Sequence, residues 1–402
     1  MRLRHLSLTN FRLYARLMAD WPAGPLILVG ANAQGKTSLL EAIYYLATAQ
    51  SHHATSDRQL IHFLTLQDPQ PFAKIVAEVE KRDAIVRLEI RLILEPVNGG
   101  DLRLRKDVFV NGARKKVGDL VGVVNVVLFL PQDMAIVEGS PSDRRRYLDN
   151  ALCQINPAYN AALAEYTKVL SQRNALLKLL QEKPGGETQL DFWDEKLCEQ
   201  GAVILGTRAT ALAELETLAS AIHRDLTLGA GADGLRLAYH PAFDPVAAPD
   251  GQIGLPMDVP VHRAGIGIEE IREGLKRKLQ DARYDDIARG STATGPHRDE
   301  IRFIASGIDV GTYGSRGQAR TVVLALKLAE MEWMRAKTGE WPILLLDEVL
   351  AELDVNRRRD LLARLTHAEQ CVMTTTDVGL FPAGFQEQAA LWQVRGGQVS
   401  GG

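Results

Sequence analysis

Eight consecutive residues, Gly30, Ala31, Asn32, Ala33, Gln34, Gly35, Lys36 and Thr37, follow the pattern GxxxxGK[ST]. Two glycines let a backbone curl round an anion, so that successive N–H groups point inward. A helix starting here adds positive potential at its N-terminus. Lys36 is then placed to neutralise the β- and γ-phosphates of a nucleotide, and the Thr37 hydroxyl to ligate Mg2+. More than three hundred residues later, the apolar run 343–346 ends in Asp347 and Glu348. A buried strand would deliver Asp347 to its tip, where a carboxylate can hold hydrated Mg2+. Glu348 beside it can polarise an attacking water. A chance match and a strand ending in solvated carboxylates are the plain alternatives. Each weakens once both segments stand on one chain.

A third segment, Gly314-Ser315-Arg316-Gly317-Gln318, precedes a long apolar stretch. A serine hydroxyl, a glycine N–H and a helix N-terminus together make a second anion site. An ordinary turn with an N-cap is its alternative. The order of the three segments, with Asp347-Glu348 some thirty residues after Ser315, favours the anion site.

The elements that must position these groups are legible in outline. Residues 26–29 form a short apolar run, hence a buried strand, and a helix follows Lys36. Residues 73–80, 85–94 and 107–110 read as strands, with Asn98-Gly99 and Asn111-Gly112 as hairpin turns. Residues 125–130 are another buried strand. Helical spacing runs over 160–180 and 190–218, with Pro184-Gly185-Gly186 as the break. Residues 229–258 read as loop, with a strand near 235–239, and 268–282 as an amphipathic helix. After a buried helix at 318–337 come strands at 342–346 and 370–374, a helix at 357–365 and a final strand at 391–394. Strands alternating with helices at both ends imply a parallel sheet assembled from both termini.

Composition narrows the class. The 402 residues are 46% hydrophobic and 24% charged with a net charge of −3, which fits a folded globular chain and excludes a disordered one. Three scattered cysteines, Cys153, Cys198 and Cys371, offer no zinc-ligand spacing and fit reduced thiols in a cytoplasmic protein. No run of 18 apolar residues is present. Near-neutral charge leaves nucleic-acid binding to local basic clusters: Arg103, Arg105, Lys106, Arg114, Lys115 and Lys116; Arg144 to Arg146; and Arg357 to Arg359. A solvated face or internal ion pairs is the alternative for each. Asp143 and Asp149 could neutralise Arg144–Arg146 and make it a brace between lobes. His297, flanked by charges, reads as a structural brace of a turn.

The order of these three segments is similar to an ABC-type ATPase head. Further segments resemble the RecF family of bacterial recombination-repair ATPases: Leu8 to Tyr14, Val127 to Met134, Glu138 to Asp149, Thr294 to Glu300, and Leu345 to Asp354. The resemblance spans residues 8–354 in family order. Its most specific blocks are Gly139-Ser140-Pro141 with Arg144-Arg145, and Gly295-Pro296-His297-Arg298-Asp299.

The resemblance implies an α/β fold: an ABC-type P-loop ATPase head with a mixed sheet, residues 1–130 together with 295–402, plus a smaller helical arm lobe, 131–294. It implies ATP and Mg2+ as cofactors. Residues 30–37 would bind the nucleotide; Thr37, Asp347 and Gln132 would meet the metal; Glu348 and Gln132 would serve hydrolysis. Gln132 stands where a glutamate is common, and Thr375 or Thr376 would take the switch position. In an ATP-driven homodimer, Ser315 and Gly317 of one copy would cover the nucleotide of the other, and Asp354 would touch the opposite site. The implied function is DNA binding in recombinational repair and replication restart, linked to the SOS response. The chain would bind single-stranded, gapped or junctional DNA, act with RecR and RecO to load RecA, and show a weak DNA-stimulated ATPase. The rivals are a transporter ATPase subunit, disfavoured by the 279 positions between Lys36 and Ser315, and a non-hydrolysing nucleotide-bound scaffold.

Overall fold

A computed structural model of the chain describes residues 1–96, 102–183, 185–227, 234–246 and 263–401. The expected turn at Asn98-Gly99, Pro184 of the expected break and most of the expected loop 229–258 lie outside the described residues. The chain divides into two compact units, 1–133 with 153–155 and 330–402, and 134–152 with 156–329.

The first unit opens with β1 (Arg2–Phe11), β2 (Tyr14–Asp20) and β3 (Gly24–Val29), followed by α1 (Lys36–Thr48). Next come β4 (Phe72–Glu80), β5 (Ile85–Pro96), β6 (Leu102–Val110), β7 (Ala113–Lys115) and β8 (Val126–Phe129). The second unit holds α2 (Met134–Glu138), α4 (Pro157–Glu182), β9 (Leu235–His240), α6 (Ile268–Asp281), α7 (Arg283–Arg289), β10 (Glu300–Ala305), β11 (Ile308–Asp309) and α8 (Val310–Tyr313). It also holds α5 (Leu190–Leu226) and most of α3 (Pro141–Ile155) and α9 (Arg316–Thr338). The chain then returns to the first unit for β12 (Ile343–Asp347), α10 (Val355–Leu365), β13 (Gln370–Thr375), α11 (Ala383–Gln386), β14 (Ala390–Arg395) and β15 (Gln398–Gly401).

Two six-stranded sheets build the first unit, where the sequence suggested one. The order β15-β14-β3-β13-β12-β8 is the sheet assembled from both termini, and only the β14–β15 pair is antiparallel. β12 and β13 are buried at every residue, as parallel strands covered on both faces must be. The other sheet, β2-β1-β4-β5-β6-β7, is antiparallel throughout. Its β1–β2, β4–β5 and β6–β7 pairs are joined by short hairpins, which cannot feed a parallel sheet. The expected Asn111-Gly112 turn joins β6 to β7 with φ of 49° and 80°, both in the left-handed region that such two-residue turns need. An apolar core runs through the unit, from Leu6, Leu8 and Phe11 through Leu26 and Leu28 to Leu345 and Val372.

Five strands escaped the sequence reading: β2, β7, β10, β11 and β15. The last shows that 391–394 is not the final strand. The second unit is less purely helical than expected, since β9, β10 and β11 form a three-stranded sheet. Pairing of β10 with β9 keeps residues after 295 in this unit, so the return to the first falls at 329/330 rather than 294/295.

Charged side chains tie the second unit together internally. Arg173, fully buried, donates to Asp194, Asp286 and Thr292. Arg208 donates to Asp149, Asp299, the Tyr159 hydroxyl and the Pro296 carbonyl.

Candidate nucleotide site

β3 runs into the loop 30–35 and α1 begins at Lys36, the strand–loop–helix order the sequence required. Gly35 adopts φ 110°, open to glycine alone among common residues, and a side chain there would strike the Tyr14 ring. Tyr14 also donates its hydroxyl to the Gly35 carbonyl at 3.1 Å. At Gly30 an added Cβ would lie 2.3 Å from the Val394 carbonyl oxygen of β14, so the backbone itself requires glycine. The β14–β15 turn then clasps the loop: Gly396 N–H donates to Gln34 Oε1 and Gly397 N–H to the Gln34 carbonyl. α1 has no side-chain N-cap and no acidic residue in its first turn. Its orphan N–H groups keep their positive potential for an anion.

Asn32 to Ser38, Leu13, His53, Pro131, Gln132, Asp347 and Glu348 line one cavity of about 360 Å³. Lys36 Nζ donates to the Gly30 and Ala31 carbonyls at 2.7 and 3.0 Å and pairs with Glu348 at 3.1 Å. The Thr37 hydroxyl reaches both Asp347 oxygens, at 3.1 and 2.9 Å. Thr374 of β13 fixes the Asp347 carboxylate and the Glu348 backbone: its hydroxyl donates to Asp347 Oδ1 at 2.7 Å and accepts from Glu348 N–H at 3.0 Å. Glu348 sits at φ 53°, a left-handed conformation that turns the strand end toward the cavity.

A hydroxyl, an amide oxygen and a carboxylate are hard oxygen donors and fit Mg2+. No group of three metal-ligating His, Cys, Asp or Glu exists among the described residues. The donor set therefore suits a cation that takes its remaining ligands from phosphate and water rather than from a protein cage.

Of the sequence-derived site residues, Asn32, Ala33, Gln34, Gly35, Lys36, Thr37, Gln132, Asp347 and Glu348 share this wall, with Gly30 and Ala31 bonded to Lys36. Ser315 and Gly317 lie in the second unit. Ser315 Oγ accepts from Gln318 N–H while Gln318 Oε1 accepts from Ser315 N–H, a reciprocal cap at the start of α9. Asp354 caps α10, accepting from the Asn356 and Arg357 N–H groups. The Arg357 N–H, and the Arg357 guanidinium beside it, hold its carboxyl below the usual range.

Sequence reasoning missed Thr374. Its hydroxyl serves Asp347 and Glu348, whereas that of Thr375, one of the two expected switch residues, donates to the Asp377 carbonyl. Tyr14 stood inside a quoted segment, but its contact with Gly35 had no sequence signal.

The basic clusters sort clearly. Arg144 forms a bidentate pair with Glu300, Arg145 donates to the Asp299 carbonyl and Arg146 pairs with Asp143. Asp149 takes Arg208 instead. All of these lie within the second unit, so the expected brace between lobes is a brace within one. Arg358 is spent on the carbonyls of Leu350, Leu353 and Leu380. Lys106 pairs with Asp57, and Arg105 and Arg114 pair with Asp107. Arg103, Lys115 and Lys116 stay exposed, with no carboxylate partner among the described residues. His297 is a brace as expected: its ring meets the Tyr166 hydroxyl at 2.7 Å and the Thr292 carbonyl at 3.1 Å. Burial holds its pKa down at about 4.

Strand, phosphate loop and helix, with a carboxylate pair at the end of another parallel strand of the same sheet, define a P-loop ATPase head. The family described as "RecF/RecN/SMC N terminal domain" matches residues 2–397. The chain is 39% identical to the DNA replication and repair protein RecF of Chloroflexus aurantiacus over the full length of both. It is 36% identical to that of Shouchella clausii over 98% of each. A solved structure of the recombination mediator protein RecF-ATPrS in the RecFOR pathway superposes with a TM-score of 0.83 at 31% identity, covering 100% of this chain and 98% of that one. An SmcHead structure at 15% identity and a TM-score of 0.50 shares the fold. The chain belongs to the RecF family.

Proposed function

We propose that this protein is an ATP-dependent DNA-binding protein of recombinational repair and replication restart. Two copies close on DNA when ATP is bound and part when it is hydrolysed. The observation that carries this reading is the single cavity wall shared by Lys36, Thr37, Asp347 and Glu348. Lys36 trades its loop carbonyls and Glu348 for phosphate oxygens. Released from Lys36, Glu348 orients the attacking water and accepts its proton. Thr37, Asp347 and Gln132 would hold Mg2+, which would supply charge neutralisation at the phosphoryl oxygens.

Ser315 and Gly317 at the start of α9, with Asp354, supply the second half of the site from the other copy. A site complete only in the dimer gives slow turnover that DNA stimulates. Arg103, Lys115 and Lys116, unspent on carboxylates, supply the phosphate-backbone contacts, so binding follows DNA structure rather than base sequence. RecR, RecO and RecA are the proposed partners, in the cytoplasm, within the SOS response. The family relatives named for replication and repair, and the structures of RecF-ATP in the RecFOR pathway, support this assignment.

Sedimentation with Mg·ATP, Mg·ADP or no nucleotide, each with and without gapped duplex, tests the reading. Dimers that form on ATP and persist in Glu348→Gln with turnover lost agree with it. A chain that stays monomeric at saturating Mg·ATP with DNA present sinks it.

A further inference from the structure

Ser315 stands at the end of a short path that begins at Glu300. β10 turns back as β11, β11 runs straight into α8, and Gly314 and Ser315 follow. Asp309 caps α8, accepting from the Gly311 N–H at 3.1 Å and from the Thr312 hydroxyl at 3.3 Å. α8 is a single turn, closed by the Gly314 N–H on the Val310 carbonyl at 3.0 Å. A turn this short carries Ser315 with it wherever it is placed.

A backbone contact places α8. Gly311 meets the end of α2 so closely that an added Cβ would lie 2.5 Å from the Val137 carbonyl oxygen. That carbonyl accepts from Arg144 Nη1 at 3.3 Å, and the Gly139 carbonyl accepts from the same nitrogen at 2.8 Å. The other two nitrogens of this guanidinium, Nε and Nη2, grip the Glu300 carboxylate at 2.7 and 2.8 Å. Burial raises the Glu300 carboxyl, but the bonds from Arg144 and the Ile301 N–H outweigh it and keep the group ionised. One side chain thus holds both ends of the path: Glu300 where it begins, and the seat of Gly311 just before Ser315. Beside that seat Gly311, Thr312 and Tyr313 border a cavity of about 350 Å³. Side-chain packing does not fill this flank of α8, which leaves its position to the clamp. All these residues belong to the second unit.

We propose that Arg144 is a positioning residue for the half-site at the start of α9. Its guanidinium sets where α8 presents Ser315 and Gly317 to the nucleotide of a second copy, without touching that nucleotide itself. This rests on the reading that Ser315 completes a site on another copy. Contacts of that kind are exacting, since a misplacement of about 1 Å can cost about a hundredfold. A lysine keeps the charge at 144 but is a point donor, and cannot serve a carboxylate and two carbonyls from one plane. At Gly311, ordinary contact with a Cβ begins at 3.4 Å, so alanine there pushes α8 off its seat by about 1 Å.

The test compares the full-length parent with Arg144→Lys and Gly311→Ala by Mg·ADP affinity, ATP-driven dimerisation and ATP turnover. Mg·ADP affinity should stay within about twofold of the parent, because that contact is made in the first unit. The dimerisation constant should weaken by about ten- to a hundredfold in both variants. Mixing separates positioning from general damage. Arg144→Lys keeps a working Lys36 and lacks a working half-site, and Lys36→Ala is the converse. Their mixed dimer holds one complete site, so the mixture should turn over ATP faster than either variant alone. Arg144→Lys mixed with Ser315→Arg, defective in the same half, should show no such gain.

Parent-like dimerisation of a folded Arg144→Lys overturns the proposal. So does a gain in turnover with both mixing partners, or with neither. Where urea unfolding shows Arg144→Lys to have lost its fold, Gly311→Ala carries the same comparisons and decides alone. A parent that neither dimerises nor turns over with Mg·ATP and gapped duplex fails the broader reading instead, so the two failures are distinguishable.

Discussion

Lys36 in the first unit and Arg208 in the second are both almost wholly buried cations, at 3% and 2% exposure, with unlike surroundings. Arg208 is saturated: Asp149, Asp299, Tyr159 and Pro296 take its donors, and Tyr239 and the Ala242 N–H complete Asp299. Lys36 is bonded to the carbonyls of its own loop and to a half-exposed Glu348, at the edge of an open cavity. A cation whose partners are all fixed protein groups holds a fold together. One whose partners can be exchanged for a ligand's oxygens does chemistry. The Gly-Pro-His-Arg-Asp block, one of the two that carried the resemblance most specifically, belongs to the first kind: it supplies Asp299, the Pro296 carbonyl and His297 to a network inside one unit.

The sharpest way to break this contrast is Arg208→Met. Removing one partner of a buried pair strands the Asp149 and Asp299 charges and costs about 3–5 kcal/mol. Urea unfolding should show the second unit strongly destabilised, and wild-type stability would erase the distinction. Lys36→Ala should do the reverse, lowering ATP affinity by about a hundredfold through loss of charge-assisted bonds worth about 1.5–3 kcal/mol. The melting curve should barely move, and unchanged ATP affinity would remove Lys36 from the exchangeable class. Ser315→Arg should leave ATP affinity within about twofold and abolish ATP-driven dimers, because it crowds only the half-site offered to a second copy. Dimers seen by sedimentation in that variant would count against a shared site.

The smallest effect concerns His297. Its folded pKa of about 4 lies below the ordinary histidine value near 6.5. The unfolded chain therefore takes up the proton first as pH falls. The stability of its neutral form is complete above about pH 6.5 and drains away toward pH 4. His297→Gln should flatten that part of the stability–pH curve, and an unaltered slope would assign the titration to other groups.

What could be read from sequence follows from how far apart the cooperating residues lie. The phosphate loop was legible because cradling an anion needs consecutive backbone N–H groups, hence consecutive residues. Asp347-Glu348 was legible because a fully buried strand is an apolar run. Thr374 was not, since its partnership with Asp347 comes from parallel register between β12 and β13. Tyr14 was not, because β2 is an edge strand whose exposed Ala15, Arg16 and Met18 blur the alternation. β15 is short and glycine-flanked, and reads as a tail until its turn is seen holding Gln34. β10 was hidden by the charged block before it, which drew attention as a turn.

The strand that leads into the phosphate loop is flanked by β13 and β14, so its neighbours in the sheet are made some 340 residues later in sequence. During synthesis, at roughly 5–20 residues per second, β3 must wait on the order of twenty to seventy seconds on the ribosome before its sheet can close. The second unit emerges in that interval and can fold first. A nascent chain arrested before β14 should carry an intact GxxxxGKT sequence and no shaped cradle, so the capacity to hold nucleotide is gained only after β14 has been made.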